Sequence, residues 1–310
     1  MMDDARFEAL RDRLGELHGR SHALARQLGD VDLSDLRSPA DLALIPVLRR
    51  SALAEMQRAR PPFGALAAAP TGAFRRLFAA SGGVYAPESA GADPWGAASA
   101  LAAAGVRRGE IVVNCFSYHL TPDGRIVESG ALALGCPVIP AGPDGAGRLV
   151  AAIAHLRPSV YAGPPDVLKS ALDEARAAGA DVRSLNKALV SGAPLSPALR
   201  AELEGAGVHA RQAYVAADLG AIAWETDDAE GRLMPGMLVN EDLIVEIVRP
   251  CAGDPAPEGE AGEVVVTRLS GDYPLLRLAT GDLSAWAAPG RLKGWIGLVG
   301  STVTDERKAP

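Results

Sequence analysis

Short apolar runs alternate with stretches of helical spacing through the middle of the chain, and this alternation constrains the fold more than any other feature. The residue patterns predict helices at 94–104, 125–134, 147–156 and 165–178, and strands at 111–116, 138–140, 160–163 and 187–190. Parallel strands need a long connection between them, and a helix of this length supplies it. The alternation therefore predicts an α/β fold built on a parallel sheet.

The segments on either side of this alternation have other patterns. Residues 4–28 place apolar side chains at near-helical spacing, which predicts helices that pack through one face. From residue 236 the chain changes to strand-like runs at 243–248 and 263–268, joined by a turn rich in Pro, Gly and Glu. We therefore predict four parts: an N-terminal helical segment at 1–72 packing on the core, an α/β core at 73–235, a small distorted β-barrel-like subdomain at 236–297 and a tail at 298–310.

Composition excludes several classes of protein. The 310 residues are 48% hydrophobic with a mean hydropathy of +0.09, so the chain can bury a substantial core. The formal net charge is -7 and no long basic run occurs, which argues against a nucleic-acid groove. No apolar run reaches membrane-spanning length and charges spread through the N-terminus, so we expect no membrane anchor, no signal peptide and a cytoplasmic protein.

The three cysteines, Cys115, Cys136 and Cys251, are widely separated, and none has a metal-ligand spacing to a histidine. They predict neither disulfides nor a zinc site. Cys115 and His119 lie four residues apart, which leaves a thiol nucleophile with its base as one alternative. We prefer the interpretation that Cys115 is a buried small residue beside a pocket histidine.

The most informative single motif is Tyr273–Leu283, which reads Tyr-Pro-Leu-Leu-Arg-Leu-Ala-Thr-Gly-Asp-Leu. Thr280 and Gly281 predict a tight turn that presents the Asp282 carboxylate, and one fixed carboxylate is suited to hold both hydroxyls of a nucleotide ribose. The run resembles the ribose-binding motif of adenylate-forming enzymes. Taken alone, the tripeptide also fits an ordinary surface turn between strands.

Four further segments occur in the same order as in the phenylacetate-CoA ligase branch of the adenylate-forming (acyl-CoA synthetase) superfamily. They are Asn114–Asp123, Gly135–Gly142, Leu189–Leu195 and Gln212–Gly220. The chain thus resembles this family over most of its length, and the order of the segments makes the resemblance specific. It implies the large N-terminal domain of that fold, with parallel α/β sheet layers and a small distorted β-barrel-like subdomain.

The resemblance implies ATP as a ligand, with Mg²⁺ beside its phosphates. In the family a small-residue loop flanks adenine, an aromatic ring stacks on it, and a carboxylate helps to hold the metal ion. The matching positions, with an arginine and the ribose carboxylate added, are Ser191, Gly192, Ala193, Pro194, Tyr214, Asp218, Arg277 and Asp282. Asp218 is the candidate magnesium ligand and a candidate catalytic residue; the competing interpretation is an ordinary strand end.

The segment after the first core strand resembles the carboxylic-acid pocket of the family. Phe116, Tyr118, His119 and Gly163 are the candidate pocket residues, and the two aromatic rings favour a flat or aryl acid. His119 would supply a polar contact and is the second candidate catalytic residue. The competing interpretation places Phe116 and Tyr118 in the hydrophobic core.

Departures from the family pattern bear on activity. The family's Ser/Thr/Gly-rich loop ends in Gly-Lys-Pro and holds the triphosphate, whereas the corresponding Ala79–Pro87 has no lysine and few hydroxyls. Ala216 and Ala217 likewise stand where the family places a hydroxyl. After Gly297 the family continues into a mobile C-terminal lid, whereas this sequence ends at Pro310, so we expect the large domain alone.

These observations predict a truncated, phenylacetate-CoA ligase-like protein that binds ATP or AMP and a small carboxylic acid and forms an acyl-adenylate. The acceptor would come from elsewhere, through a trans-acting lid, a carrier protein or an acceptor enzyme. Two alternatives stay open: a catalytically degenerate binding subunit, and ATP-independent chemistry with His119 as general base. A homodimer also stays open.

Overall fold

The computed structural model describes residues 4–143, 145–250, 252–269 and 271–297. Its contacts divide the chain into two compact units. The first unit joins Met1–Ala69 to Leu243–Pro310, and the second unit is Pro70–Asp242. The predicted boundaries fall after residues 72 and 235, whereas the units divide after Ala69 and Asp242. The N-terminal helical segment groups with the β-rich part of the chain. Its predicted packing on the α/β core stays a prediction.

The helices and strands of the described residues have the following bounds. The α-helices are α1 (Asp4–His18), α2 (His22–Leu28), α3 (Arg50–Ala59), α4 (Ala97–Ala103), α5 (Asp123–Ala133), α6 (Ala146–Leu156), α7 (Pro165–Ala178) and α8 (Pro197–Gly205). The strands are β1 (Leu77–Ala80), β2 (Val84–Pro87), β3 (Val112–Asn114), β4 (Val138–Pro140), β5 (Val160–Gly163), β6 (Lys187–Val190), β7 (His209–Ala216), β8 (Gly220–Trp224), β9 (Met237–Val239), β10 (Ile244–Val248), β11 (Gly262–Arg268), β12 (Leu275–Ser284), β13 (Trp286–Ala288), β14 (Arg291–Leu292) and β15 (Ile296–Gly297).

The second unit is built on a mixed sheet with the strand order β9-β8-β7-β6-β5-β3-β4. Strands β7, β6, β5, β3 and β4 run parallel, and β7, β8 and β9 form an antiparallel extension. The predicted α/β fold class is therefore confirmed. Strands β5 and β6 and helix α7 begin and end at the predicted residues.

Helices cover both faces of this sheet because successive side chains of a strand point to opposite sides. Val113 and Tyr161 pack with α6 and α7, whereas their neighbours Val112 and Val160 pack with α4 and α5. Helix α7 shows why such segments are helical: its buried residues recur at helical spacing, Pro165 occupies its first turn, and Gly179 ends it with φ +65°. The carboxyl ends of the parallel strands are left between these layers.

The first unit contains the antiparallel sheet β10-β11-β12-β15 and the hairpin β13-β14. The apolar faces of α1 and α2 supply Leu14, Leu17 and Leu24, which form one buried cluster with Leu269 and Leu276. This cluster explains why the N-terminal helices group with the β strands. In the described residues, no helix combines the length and the apolar character needed to cross a bilayer.

Candidate functional site

Hydrogen bonds within the second unit join the carboxyl ends of β3, β5 and β6 to one another and to the middle of β7. The Cys115 amide donates to the Ala162 carbonyl (2.7 Å), and the Ser191 amide donates to the Gly163 carbonyl (3.3 Å). The Gln212 side-chain amide donates to the Ala193 carbonyl (3.0 Å). These bonds bring three predicted segments to one edge of the sheet, which is where open α/β sheets bind their ligands.

A hairpin made of β1 and β2 adjoins the same edge. The Ala79 amide donates to the Leu120 carbonyl (2.9 Å), so the hairpin is tied to the loop that follows β3. Gly82 and Gly83 form its tip with φ +75° and +74°, and a Cβ added to either would meet no atom within 4 Å. The predicted counterpart of the family's phosphate loop is therefore an open, glycine-containing turn. Its anion-binding role stays a prediction.

Asn114 organises the loop after β3, although the sequence pattern did not single it out. Its fully buried side chain donates to the Tyr118 hydroxyl (2.8 Å) and to the Gly124 carbonyl (2.8 Å), and it accepts the Phe116 amide (3.1 Å). The signal that could have revealed it is an asparagine at the carboxyl end of a buried strand. Such a side chain can satisfy several backbone groups of the following turn.

The aromatic residues of the predicted acid pocket are held differently from its histidine. Phe116 is 9% exposed and Tyr118 is half-buried, whereas His119 is exposed. Burial raises the pKa of the Tyr118 phenol well above its usual range, and a hydrogen bond with Glu128 adds to the shift. In the described part of the chain, the His119 ring has no hydrogen bond or ion pair that would orient it as a general base.

Gly163 lies where a side chain would collide with its neighbours. A Cβ built there would be 2.7 Å from Tyr161 Cζ and 2.9 Å from Cys115 Cβ. Tyr161 is fully buried and donates its hydroxyl to the Pro164 carbonyl (2.8 Å). Gly163 is therefore required by packing at this strand end, which is a physical reason for glycine that the sequence alone did not show.

The alternative of a nucleophilic Cys115 does not fit its surroundings. The side chain is fully buried, and burial raises the pKa of its thiol to about 12. A thiolate is the reactive species, so the thiol is inert at neutral pH.

Alkylation measures the reactivity of the Cys115 thiol directly. Iodoacetamide at about pH 8 should leave Cys115 unmodified in the folded protein and label it after denaturation, because little thiolate forms while the residue is buried. Peptide mass mapping gives the readout. Rapid labelling of Cys115 in the native protein would contradict the assignment.

The predicted adenine loop is a turn with little side-chain bulk. Ser191 is buried, Gly192 has φ +83° and open space where a Cβ would be, and Pro194 is exposed. Tyr214 lies on β7 and is 2% exposed, and Asp218 lies in the turn between β7 and β8 and is 1% exposed. An adenine ring can therefore stack on Tyr214 only if the residues that bury its side chain move away. The nucleotide roles of these residues stay predictions.

Asp218 bears on the predicted magnesium site. Among the described residues, no group of three or more histidine, cysteine, aspartate or glutamate side chains is arranged to hold a metal ion. Mg²⁺ commonly binds one or two carboxylates together with nucleotide phosphates and water, so a single carboxylate is a partial fit to that donor set. Asp218 can contribute one ligand, and the phosphates would have to supply others.

Asp282 lies inside strand β12 of the first unit. The strand pairing with β11 shifts register here, Gly281 has φ +83°, and the Asp282 amide donates to the Thr280 hydroxyl (3.1 Å). The Thr-Gly-Asp segment is thus a bulge within a strand, whereas the sequence predicted a tight turn, with a surface turn between strands as the alternative. The carboxylate is partly exposed, as a ribose ligand requires.

Arg277 is the predicted nucleotide residue whose surroundings argue most strongly for another role. It is 1% exposed, its Nε and Nη2 donate to the two Glu246 carboxylate oxygens (3.0 Å each), and Nη2 also donates to the Gly253 carbonyl (2.7 Å). Its Nη1 donates to the Ile45 carbonyl. These contacts give Arg277 a structural role in the first unit. A phosphate contact would require the guanidinium to leave all of them.

Comparison with known proteins identifies the class to which this fold and these segments belong. The model of the AMP-binding enzyme family matches residues 106–270, and the chain belongs to that family. It is 32% identical over 266 residues to the phenylacetate-coenzyme A ligase of Thermus thermophilus, covering 82% of this chain and 58% of the relative. The corresponding enzyme of Aromatoleum evansii is 30% identical, with 84% and 60% covered. The chain thus spans about three-fifths of the length of these relatives.

Solved structures confirm the fold. An open conformation of 2-hydroxyisobutyryl-CoA ligase in complex with 2-HIB-AMP and CoA has a TM-score of 0.83 at 23% identity, covering 97% of this chain and 76% of that one. The anthranilate CoA ligase AuaEII in complex with anthranoyl-AMP has a TM-score of 0.57 at 18% identity, covering 71% and 49%. The resemblance to the phenylacetate-CoA ligase branch is therefore confirmed at the level of family and fold.

Proposed function

We propose that the protein binds ATP or AMP and a small carboxylic acid and forms an acyl-adenylate. The observation that supports this most is the hydrogen-bonded edge of the second unit. There the loop after β3, Gly163, the Ser191–Pro194 turn and the start of the Gln212–Gly220 segment come together. These are the segments that resemble the acid and adenine sites of the family.

The chemistry requires positioning more than it requires a strong base. A carboxylate attacks the α-phosphate of ATP, the bond to the β-phosphate oxygen breaks, and pyrophosphate leaves. The loop after β3 would hold the acid, and the backbone of the Ser191–Pro194 turn would lie against adenine. Mg²⁺, held in part by Asp218, would neutralise charge on the phosphates. Coenzyme A, named in the relatives, is the acceptor to test first.

Asp282 supplies the test of nucleotide binding. Replacing it with alanine should weaken ATP and AMP binding about 10- to 100-fold, because a hydrogen bond to a charged group contributes roughly 1.5–3 kcal/mol. Isothermal titration calorimetry with Mg²⁺ measures both affinities. An acid-dependent release of pyrophosphate by the wild-type protein would then establish adenylation.

Asp35→Ala is the matched control, since Asp35 is an exposed aspartate of the same unit. Its affinity for either nucleotide should equal that of the wild type. If Asp282→Ala binds ATP and AMP as well as the control does, the ribose assignment is wrong. If the wild type binds neither nucleotide at millimolar concentration, the proposed adenylation by this chain is wrong.

A binding subunit without adenylation activity is the second candidate. The hairpin favours it, because Ala79–Pro87 carries no lysine, and the neighbouring Arg76 is bound to both oxygens of the buried Glu88 (2.7 and 3.0 Å). Acid binding without pyrophosphate release, across a panel of aryl and aliphatic acids, would support this candidate. The predicted trans-acting lid, carrier protein, acceptor enzyme and homodimer stay predictions.

A further inference from the structure

We propose that Asn114 is a positioning residue of the acid pocket: together with the Arg125–Glu128 pair it fixes the Tyr118 ring as a rigid wall that selects flat, apolar acids. The inference rests on the proposed function, and it names both the substrate class and the residues that set it. Asn114, Arg125 and Glu128 act through Tyr118 and need not touch the acid.

The first support is how completely the Asn114 carboxamide is used. Its two N–H groups donate to the Tyr118 hydroxyl and the Gly124 carbonyl, both at 2.8 Å, and its oxygen accepts the Phe116 amide at 3.1 Å. The Asn114 side chain is fully buried, so its bonds to the Gly124 carbonyl and the Phe116 amide do not compete with bulk water. One side chain therefore ties both aromatic residues of the pocket to the end of β3.

The second support is a clamp on the Tyr118 ring from helix α5. The Arg125 guanidinium lies over the ring, 5.2 Å from its centroid, and Arg125 is itself paired with Glu128. A Cβ added to Gly124 would stand 2.8 Å from Tyr118 Cδ2, so the ring packs against the bare backbone of that glycine. The cation holds one ring face and Gly124 holds one edge.

The third support is the hydrogen bonding of the Tyr118 hydroxyl. The hydroxyl accepts a hydrogen bond from the Asn114 side chain (2.8 Å), so it is engaged by the protein itself. The acid can then meet only the free face or edge of an apolar ring. A hydroxylated acid placed against this wall loses water contacts without replacement, and an apolar site disfavours an added hydroxyl by up to about 100-fold. A flat hydrocarbon or aryl body loses nothing by the same contact.

The kinetic test compares wild type, Asn114→Ala, Tyr118→Phe and the double variant in acid-dependent pyrophosphate release. Phenylacetate and 2-hydroxyisobutyrate serve as the apolar and hydroxylated acids. Asn114→Ala should raise the KM for phenylacetate about tenfold and change kcat less than about threefold. The preference for phenylacetate should fall by a similar factor. The double variant should resemble Asn114→Ala, because that variant already lacks the bond that Tyr118→Phe removes.

A matched control separates positioning from general stability. Asn240 is also a buried asparagine of the second unit, and it donates to the Ala221 carbonyl (2.8 Å) and accepts the Asp242 amide (3.0 Å). Asn240→Ala removes comparable bonds away from Tyr118. It should lower the unfolding temperature while leaving the ratio of the two KM values unchanged.

An NMR measurement reports on the ring without any catalysis. Among five labelled tyrosines, the Tyr118 signals are those that Tyr118→Phe removes. In the wild type the clamp should slow flipping of this ring, so that the two edges of the ring give separate NMR signals. In Asn114→Ala faster flipping should merge these signals. Asn240→Ala should leave them distinct.

The outcomes separate this inference from the proposed function. A wild type that releases no pyrophosphate with any acid overturns the function, and the NMR result then decides the clamp alone. An active wild type whose Asn114→Ala variant keeps the same KM ratio and the same ring signals overturns the inference. If Asn114→Ala does not fold, Tyr118→Phe breaks the same bond while keeping the ring, and an unchanged KM ratio in that variant overturns it equally.

Discussion

Replacing Arg277 with alanine should lower the free energy of unfolding by about 3–5 kcal/mol, the range for breaking a buried ion pair from one side. The change leaves the Glu246 carboxylate inside the first unit without its guanidinium partner. Burial already raises the pKa of Glu246 above its usual value, with Arg277 opposing the shift. Urea unfolding followed by circular dichroism measures the loss.

The pH dependence of this variant has a definite sign. Without Arg277, the folded-state pKa of Glu246 rises further above its unfolded value, so the folded protein binds the proton more tightly. Stability then decreases as pH rises through the folded-state pKa and recovers as pH falls toward the unfolded one. The loss in free energy of unfolding of Arg277→Ala relative to the wild type should therefore be largest at neutral pH and smaller in mild acid.

Two comparisons test the ion pair itself. The double replacement Arg277→Met with Glu246→Leu removes both charges. It should lower the free energy of unfolding less than Arg277→Ala alone does. Arg277→Lys keeps the charge and loses the forked geometry, so its free energy of unfolding should lie between those of the wild type and Arg277→Ala. A loss below about 1 kcal/mol for Arg277→Ala would match a surface pair and contradict the buried role.

The part of the fold that depends on local pattern was predictable from the sequence. The strand at 160–163, the helix at 165–178 and the strand at 187–190 coincide with β5, α7 and β6. β5 and β6 are short runs of mostly buried residues, and α7 begins at Pro165 and ends before Gly179, so local sequence determines these elements. The convergence of loops at one sheet edge follows from parallel pairing, and this was also predictable.

Contacts between distant residues were not predictable. Arg277 resembled a family arginine, but its partners Glu246 and Ile45 lie 31 and 232 residues away in sequence. The helical spacing of α1 and α2 showed that one face is buried, but the pattern could not show that Leu269 and Leu276 cover it. Periodicity identifies a buried face and carries no information about which distant segment covers it.

The site was predictable as a set of segments but not as a set of contacts. The resemblance to the family predicted Tyr118 as a pocket residue, which stays a prediction. The contacts of Asn114 and Arg125 with Tyr118 are seen only in the folded structure. The sequence predicted a tight turn at Thr280 and Gly281, and Gly281 has φ +83°. Only the register of β11 and β12 shows that this backbone is a bulge within a strand.

Adding a single methyl group at Gly163 should be strongly destabilising, and Gly163→Val more so. The alanine Cβ would stand 2.7 Å from Tyr161 Cζ and 2.9 Å from Cys115 Cβ, both in a closely packed interior. Overpacking of this kind costs about 1–3 kcal/mol, and a branched side chain costs more. The residue does not have a positive φ, so the effect is steric and not conformational. Thermal and urea unfolding of both variants measure it.

The matched control is Gly147→Ala on helix α6, where an added Cβ meets no atom within 4 Å. It should be neutral or stabilising by up to about 1 kcal/mol, because alanine favours the helix. Combining Gly163→Ala with Tyr161→Phe removes the hydroxyl that the new methyl group would strike first, so it should recover part of the loss. If Gly163→Ala is as stable as Gly147→Ala, the collision is not real. The end of β5 would then tolerate a side chain beside the proposed acid pocket.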